Sequence, residues 1–169
     1  MMDISFDAQR ITIGIDPGLS GAVAILADGI YRDCFDMPTQ GRGKAGRQCV
    51  NCAALAAYFR GQMQTDRGAY VHAVIEDVAA RPGQGVSSMF RFGQAVGAVE
   101  GVLATLSIPV TRVTPQRWKA HYNLTGSEKD AARGKAQDLY PIAPLSRKRD
   151  CGRADALLIA RWAWKQEAA

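Results

Sequence analysis

The chain has 169 residues, a formal net charge of +5 and 47% hydrophobic residues. This is enough apolar material for one domain with its own core, and too much for a disordered or fibrous protein. No apolar run approaches the roughly 20 residues of a membrane-spanning helix, and the first residues lack the basic-then-apolar order of a secretory signal. We therefore expect one domain over residues 1–169, a cytoplasmic location and no membrane partner. The positive charge favours a polyanionic partner only modestly.

The first half of the chain predicts strands joined by tight turns, then a helix and a further strand. Three short apolar runs, Ile11–Asp16, Gly21–Leu26 and Ile30–Phe35, are separated by Pro-Gly and Asp-Gly turns and predict an antiparallel meander. A helix is predicted from about Gln48 to Gln64. The run Tyr70–Val78 is apolar enough to be a central strand.

A long helix is predicted from about Val86 to Ser107. Its apolar residues recur at steps of three and four, which places them on one helical face: Met89, Phe92, Val96, Val99, Leu103 and Leu106. Gly93, Gly97 and Gly101 form a second stripe. Since glycine costs about 1 kcal/mol at a helix position, the stripe indicates a closely packed neighbour, which is either the sheet or another subunit.

The last third of the chain predicts one strand and three helices. The strand is Ile108–Val113. Helices are predicted to begin at Thr114-Pro115, at Ser127 and near Gly152. The order of all the elements is that of a mixed α/β domain with a hairpin edge and crossover helices.

Two cysteines three positions apart, Cys49 and Cys52, raise the question of a zinc or redox site. The sequence contains no second such pair, and His72 and His121 do not have the spacing of metal ligands. Ordinary reduced thiols are therefore the favoured interpretation, with a metal or redox role as the alternative.

Three acidic residues lie in unusually apolar surroundings. Asp16 ends the first strand, Glu76 interrupts an apolar strand, and Asp155 precedes an apolar helical run. A buried carboxylate needs a cation or dedicated donors. If the first and fourth strands are neighbours, these acids converge on a site for Mg²⁺ or Mn²⁺, and two such ions can hydrolyse a phosphodiester. Taken singly, the three also fit a turn residue, an exposed strand edge and a helix N-terminus.

Basic residues gather in two loops, as expected of segments that bind phosphate groups. The two clusters are Arg42, Lys44 and Arg47, and Arg147, Lys148 and Arg149.

Four segments together resemble the RuvC family of Holliday junction resolvases, and most closely its compact bacteriophage and prophage members. They are IGIDPGLSGAVAIL, VIEDVAARPGQGVSSMFRFGQAVGAVEG, VTPQRWKAHYNLTGSEKDAARGKAQDLYP and RKRDCGRADALLIA. The resemblance covers residues 11–164 and is weaker over 30–70. It implies an RNase H-like fold with a mixed five-stranded sheet whose first three strands are antiparallel. It also implies Mg²⁺-dependent cleavage of four-way DNA junctions, with Mn²⁺ as a second activating ion, by a homodimer.

The resemblance assigns roles to the acidic residues. Asp16, Glu76 and Asp155 match the family's metal ligands. The family's usual fourth ligand, three residues before the last aspartate, falls on Gly152. In the phage-type pattern the corresponding aspartate matches Asp150, which either completes the metal site or caps a helix.

Lys119 and Lys129 match lysines that the family places near the scissile phosphate, where a positive charge stabilises the developing negative charge. The alternative for each is a solvated helix charge. The family also carries an aromatic wedge after the central glutamate, and this chain has none before Phe90. Phe90 is either a displaced wedge or a packing residue. Arg81 and Gln84 are better placed to contact the centre of a junction.

Two further functions fit the sequence. One is another nuclease of the same fold, acting on RNA or on DNA flaps. The other is a non-catalytic protein that binds branched DNA. An actin-like ATPase shares the GIDPG motif but needs two such domains, for which 169 residues leave no room.

Overall fold

A five-stranded mixed sheet forms the centre of the molecule, as described for residues 9–43, 46–65, 68–79, 83, 85–128 and 130–167 in the computed structural model. Its strand order is β3-β2-β1-β6-β7, and a separate two-stranded hairpin pairs β4 with β5. The strands are Arg10–Asp16 (β1), Ala22–Ala27 (β2), Ile30–Asp36 (β3), Thr39–Gly41 (β4), Gln48–Val50 (β5), Tyr70–Glu76 (β6) and Val110–Val113 (β7).

In the described ranges, five α-helices accompany the strands: Cys52–Thr65 (α1), Val86–Thr105 (α2), Pro115–His121 (α3), Ala131–Leu139 (α4) and Cys151–Glu167 (α5). A 3-10 turn over Lys148–Asp150 precedes α5. None of the helices in the described ranges is long and apolar enough to cross a membrane.

The sheet has the topology that the sequence predicts. β1 pairs antiparallel with β2, and β2 pairs antiparallel with β3. β1 is parallel to β6, and β6 is parallel to β7. The expected RNase H-like arrangement, with three antiparallel strands at one side of a mixed sheet, is confirmed.

The two faces of the sheet carry two separate cores. Ile11, Ile13 and Ile15 of β1 point to the face covered by α1 and α2. Because side chains alternate along a strand, Gly14 lies on the opposite face, which is covered by α3, α4 and α5. A Cβ atom on Gly14 would lie 2.1 Å from the carbonyl oxygen of Ala156, so glycine here allows α5 to pack directly on the backbone of β1.

The predicted start of the first helix is wrong by four residues. Gln48–Val50 is strand β5, paired antiparallel with Thr39–Gly41, and α1 begins only at Cys52. Asn51 marks this start, because its side-chain oxygen accepts a hydrogen bond from the backbone N–H of Ala54 at 3.0 Å.

One later helix start differs from the prediction, and another agrees with it. The helix expected from Ser127 begins at Ala131, directly after Asp130. The last helix begins at Cys151, one residue before Gly152, so that Asp155 lies in its second turn.

The glycine stripe of α2 does not pack on the sheet. Within the described residues, nothing lies within 4 Å of a Cβ added at Gly93, Gly97 or Gly101. The helix instead buries a neighbouring face that includes Val99 and Leu103. Sheet packing is therefore the wrong alternative, and the second subunit remains the prediction.

The cysteine pair shows no sign of a metal site. Cys49 and Cys52 are free thiols whose sulfurs lie near the carbonyl oxygens of Gln40 and Val50. In the described part of the chain, no group of three or more His, Cys, Asp or Glu residues is close enough together to hold a metal ion.

A candidate active site at the end of the central strands

Asp16 and Glu76 end two neighbouring parallel strands in register. Ile15 of β1 lies opposite Ile75 of β6, so the next residue on each strand is one of the two acids. Val74, two residues before Glu76, packs in the core beneath α5. By alternation, both carboxylates point to the α5 face. The condition set out in the sequence analysis, that these two strands are neighbours, is therefore met.

The turn that follows β1 holds the Asp16 side chain in place. The backbone N–H of Gly18 donates a hydrogen bond to Asp16 Oδ1 at 3.3 Å. A Cβ atom on Gly21 would lie 2.2 Å from the backbone oxygen of Asp16, so the return into β2 requires glycine. Burial raises the pKa of the Asp16 carboxyl above its ordinary value, against the opposing effects of the Gly18 hydrogen bond and the nearby charge of Lys119.

Trp118 of α3 orients the Glu76 carboxylate. Its indole Nε1–H donates a hydrogen bond to Glu76 Oε1 at 2.9 Å. The Trp118 ring is completely buried, so the donor is fixed by the core beneath α5. The sequence interpretation missed this contact. The available signal was a tryptophan next to Lys119, because a buried indole N–H normally has an acceptor.

The first turns of α5 bring Asp155 to the same end of the sheet. Gly152 lies against the backbone of Ser20 and Gly21, and Ala156 lies over Gly14. These two close contacts bracket Asp155 along the helix and place this stretch of α5 over the end of β1.

Gly152, at the position of the family's usual fourth ligand, closely approaches the turn after Asp16. A Cβ atom at this position would lie 3.0 Å from the carbonyl oxygen of Ser20 and 3.2 Å from Gly21 Cα. A larger side chain would have to displace the turn after Asp16, which is backbone and yields poorly. An acidic side chain at residue 152 would therefore press on the turn after Asp16.

The structure gives Asp150 a capping role. Its carboxylate is 1% exposed and accepts hydrogen bonds from the Arg147 backbone N–H at 2.8 Å and from Arg147 Nη2 at 2.7 Å. These bonds hold the pKa of Asp150 below its usual value. Of the two roles that the sequence leaves open, the geometry supports the helix cap.

The three acids at this site are the type of ligand that a hard divalent cation prefers. Asp16, Glu76 and Asp155 supply only oxygen ligands. Burial raises the pKa of the Asp16 carboxyl, and a bound cation would favour its charged form.

Comparisons with known proteins agree with this fold. No protein-family model matches the sequence. Two solved structures match over 94% of this chain and 96% of theirs at 17% identity: Thermus thermophilus RuvC in complex with a Holliday junction substrate, with a TM-score of 0.57, and T. thermophilus RuvC, with a TM-score of 0.55.

The chain has the RuvC fold. A curated relative is 34% identical over 122 residues, which is 70% of this chain: the chloroplastic Holliday junction resolvase MOC1 of Chlamydomonas reinhardtii. The RuvC-like chain spans only 14% of the length of that relative. The resemblance carried by the four sequence motifs is thereby confirmed, whereas the phage-type subgroup stays a prediction.

Of four other predicted site residues of the RuvC-like chain, one lies near Asp16 and three lie outside the described residues. Lys119 lies close enough to affect the pKa of Asp16, and its Nζ is 5.2 Å from the centre of the Trp118 ring. Lys129, Arg81 and Gln84 fall outside the described residues.

The basic segment before α5 is divided in its roles. Arg147 binds Asp150, while Lys148 and Arg149 are exposed.

Phe90, the alternative wedge residue, is 66% exposed on α2. Core packing within this chain is therefore wrong for Phe90, and a wedge or an interface role remains.

Proposed function

We propose that the RuvC-like chain is a metal-dependent, structure-selective endonuclease that resolves four-way or other branched DNA junctions by paired phosphodiester hydrolysis. The observation that carries the proposal is that Asp16 and Glu76 end neighbouring parallel strands, with the cation Lys119 beside Asp16 and the start of α5, which carries Asp155, over the end of β1. Among the described residues these acids do not form a group close enough to hold a metal ion, so the metal site is proposed from their chemistry and their placement at one end of the sheet. The RuvC fold and the resolvase relative support it.

Asp16, Glu76 and Asp155 are the residues that would hold Mg²⁺ or Mn²⁺. When bound, such ions supply a Lewis acid for the phosphate and lower the pKa of the attacking water. We propose Asp150 as a structural residue, because its carboxylate is engaged by Arg147.

The chain's own residues orient the acids and balance charge. The Gly18 N–H holds Asp16, and the indole of Trp118 holds Glu76 in a fixed direction. The Lys119 ammonium offsets negative charge beside Asp16 and is placed to stabilise charge that develops on a phosphate there. We assign the same role to Lys129.

Contacts to the junction are proposed for two regions. Lys148 and Arg149 are exposed beside the start of α5, where they can bind phosphate groups. Arg81 and Gln84, in the segment after Glu76, are proposed to contact the centre of the junction.

We propose that the protein is one domain acting as a cytoplasmic homodimer, with α2 as the interface. Paired nicks on a four-way junction need two sites related by two-fold symmetry. The open glycine stripe, together with exposed Phe90, supports α2 for this role. Light scattering of the native chain and of Gly97→Leu tests it. The variant is expected to be monomeric, and an unchanged dimer mass would remove α2 from the interface.

A substrate panel tests the proposed activity. The chain is incubated with labelled four-way DNA, flap DNA, duplex DNA and structured RNA in Mg²⁺. Symmetric nicks confined to the four-way junction are expected. Preferred cleavage of RNA or flaps would instead indicate another nuclease of this fold, and binding without cleavage under any metal would indicate a junction-binding protein.

A further inference from the structure

A groove runs between the β4–β5 hairpin and the N-terminal half of α2. Its largest part has a volume of about 740 Å³, and two adjoining parts measure about 530 and 260 Å³. The hairpin wall includes Arg42, Arg47 and Gln48, and the helix wall includes Arg91 and Gln94.

The charge of this groove is entirely positive. None of the described residues that line its three parts is acidic. Arg91 donates to the carbonyl oxygen of Ser87 in its own helix. Within the described chain, no hydrogen bond or ion pair engages the side chain of Arg42 or Arg47.

Other arginines of the molecule are arranged differently. Arg112, Arg133, Arg147 and Arg153 each form an ion pair with a carboxylate. The groove therefore collects three guanidinium groups that carry no carboxylate partner. Guanidinium groups of this kind are the usual donors to phosphate oxygens.

The hairpin that presents two of these arginines is anchored to the core. The backbone N–H of Arg42 donates to the carbonyl oxygen of Arg47 at 2.7 Å, which closes the hairpin. Val50, at the end of β5, is buried in the core beneath α1 and α2. The arginines thus extend from a fixed base, which lowers the entropy cost of binding an extended polyanion.

One end of the groove reaches the candidate active site. Gly18, Leu19 and Ser20 line it there, and they are the turn that directly follows Asp16. A polyanion that has one phosphate at Asp16 can therefore continue into the groove without crossing another element.

We propose that this groove binds the sugar–phosphate backbone of the DNA strand that extends from the phosphate cleaved at Asp16, through Arg42, Arg47 and Arg91. The inference rests on the proposed nuclease function and adds a binding surface to it. Gln48 and Gln94 are further donors along the same path.

The first test measures salt-dependent binding by the full chain. The variant Arg42→Gln/Arg47→Gln/Arg91→Gln is compared with the native chain on a four-way junction in EDTA, over about 50–200 mM salt. Each lost phosphate contact lowers the slope of log Kd against log salt by about 0.9, so the triple variant should lose about two to three units of slope. At low salt its Kd should also rise, because phosphate contacts supply much of the affinity for DNA.

The matched control is Arg60→Gln. Arg60 is exposed on α1 and lies outside the residues that line the groove. Its loss should leave both Kd and slope close to native values. Arg42→Gln alone is the matched single substitution within the groove. Equal effects of Arg60→Gln and Arg42→Gln on Kd and slope would overturn the groove in favour of a general charge effect.

The second test locates the phosphates concerned. Neutral methylphosphonate linkages are placed one at a time on either side of the scissile phosphate. Neutral linkages at the positions that the groove binds should weaken DNA binding by the native chain. They should have little further effect on DNA binding by the triple variant.

The outcomes separate the groove from the function on which it rests. If the native chain cuts junctions and the triple variant keeps the native slope, the groove inference fails and the nuclease stands. If the native chain neither binds nor cuts branched DNA, both fail.

Discussion

The indole N–H of Trp118 donates to Glu76 Oε1 at 2.9 Å, which links the completely buried core beneath α5 to an acid at the end of the sheet. Hydrogen bonds of this kind fix the direction of a metal-binding carboxylate and typically change metal affinity by about 10–100-fold when removed. The contact makes Trp118 a positioning residue for the proposed metal site.

Trp118→Phe should therefore raise the Mg²⁺ concentration needed for half-maximal cleavage by about 10–100-fold. Saturating Mg²⁺ should restore most of the rate, because the ligands themselves remain. The measurement is a Mg²⁺ titration of junction cleavage.

The control for this substitution is Trp162→Phe, since Trp162 lies in the same core. It should lower stability without changing the Mg²⁺ requirement. Equal shifts in the two variants would show that Trp118 acts only through packing.

Asp16→Asn should abolish cleavage and, in EDTA, leave the fold as stable as the native chain or more stable. Burial raises the pKa of Asp16 in the folded state, so its ionised form opposes folding at neutral pH. This penalty disappears as the pH falls through the raised pKa toward the unfolded value. The stability difference between variant and native chain should therefore shrink at acid pH.

Thermal unfolding in EDTA over a pH series measures this difference. Added Mg²⁺ should raise the melting temperature of the native chain and not that of Asp16→Asn. A variant clearly less stable than the native chain at neutral pH would contradict the account of Asp16.

Asp150→Asn should cost about 2 kcal/mol of unfolding free energy, as expected when a charged acceptor of several hydrogen bonds is lost. Cleavage by the folded variant should persist. The pKa of Asp150 is lowered by Arg147, so its contribution is present above the unfolded pKa, near 3.8, and is lost as the pH falls through the lower folded value.

Urea unfolding at pH 7 and near pH 3 tests the predicted loss of unfolding free energy. Junction cleavage at pH 7 tests the prediction that the folded variant keeps its activity. Loss of cleavage in a fully folded variant would restore Asp150 as a metal ligand.

Gly152→Ala should lower stability by about 1–3 kcal/mol, because its new Cβ would press on the backbone of Ser20 and Gly21. Gly134→Ala on α4 is the control. Nothing described lies within 4 Å of a Cβ there, so this change should stabilise the helix by up to about 1 kcal/mol. Denaturant unfolding measures the free energy of unfolding of both variants. Equal values would show that the turn after Asp16 shifts at little cost to accept the new Cβ.

The sequence predicts much of the site because its acids coincide with the ends of elements. Asp16 ends a strand in the sequence pattern, whereas Glu76 falls within the predicted strand Tyr70–Val78. In the folded chain both acids end their strands, and parallel pairing brings them together. The sequence shows only that Gly152 departs from the family's ligand pattern. The nearby Ser20–Gly21 backbone, on which a side chain there would press, is visible only in the folded chain.

Other features depend on contacts that leave little trace in the sequence. The hairpin strands β4 and β5 have three residues each, which is too short for a clear alternation of polar and apolar residues. The glycines of α2 indicate close packing, but their open surroundings appear only in the folded chain. The choice between cap and ligand for Asp150 likewise depended on the position of the Arg147 side chain.

The most direct test of the proposed function is cleavage of a labelled four-way DNA junction by the native chain and by Asp16→Asn, in Mg²⁺, in Mn²⁺ and in EDTA. The account predicts symmetric nicks by the native chain with either metal, no nicks in EDTA, and binding without cleavage by Asp16→Asn. Cleavage that persists in EDTA or in Asp16→Asn would contradict it.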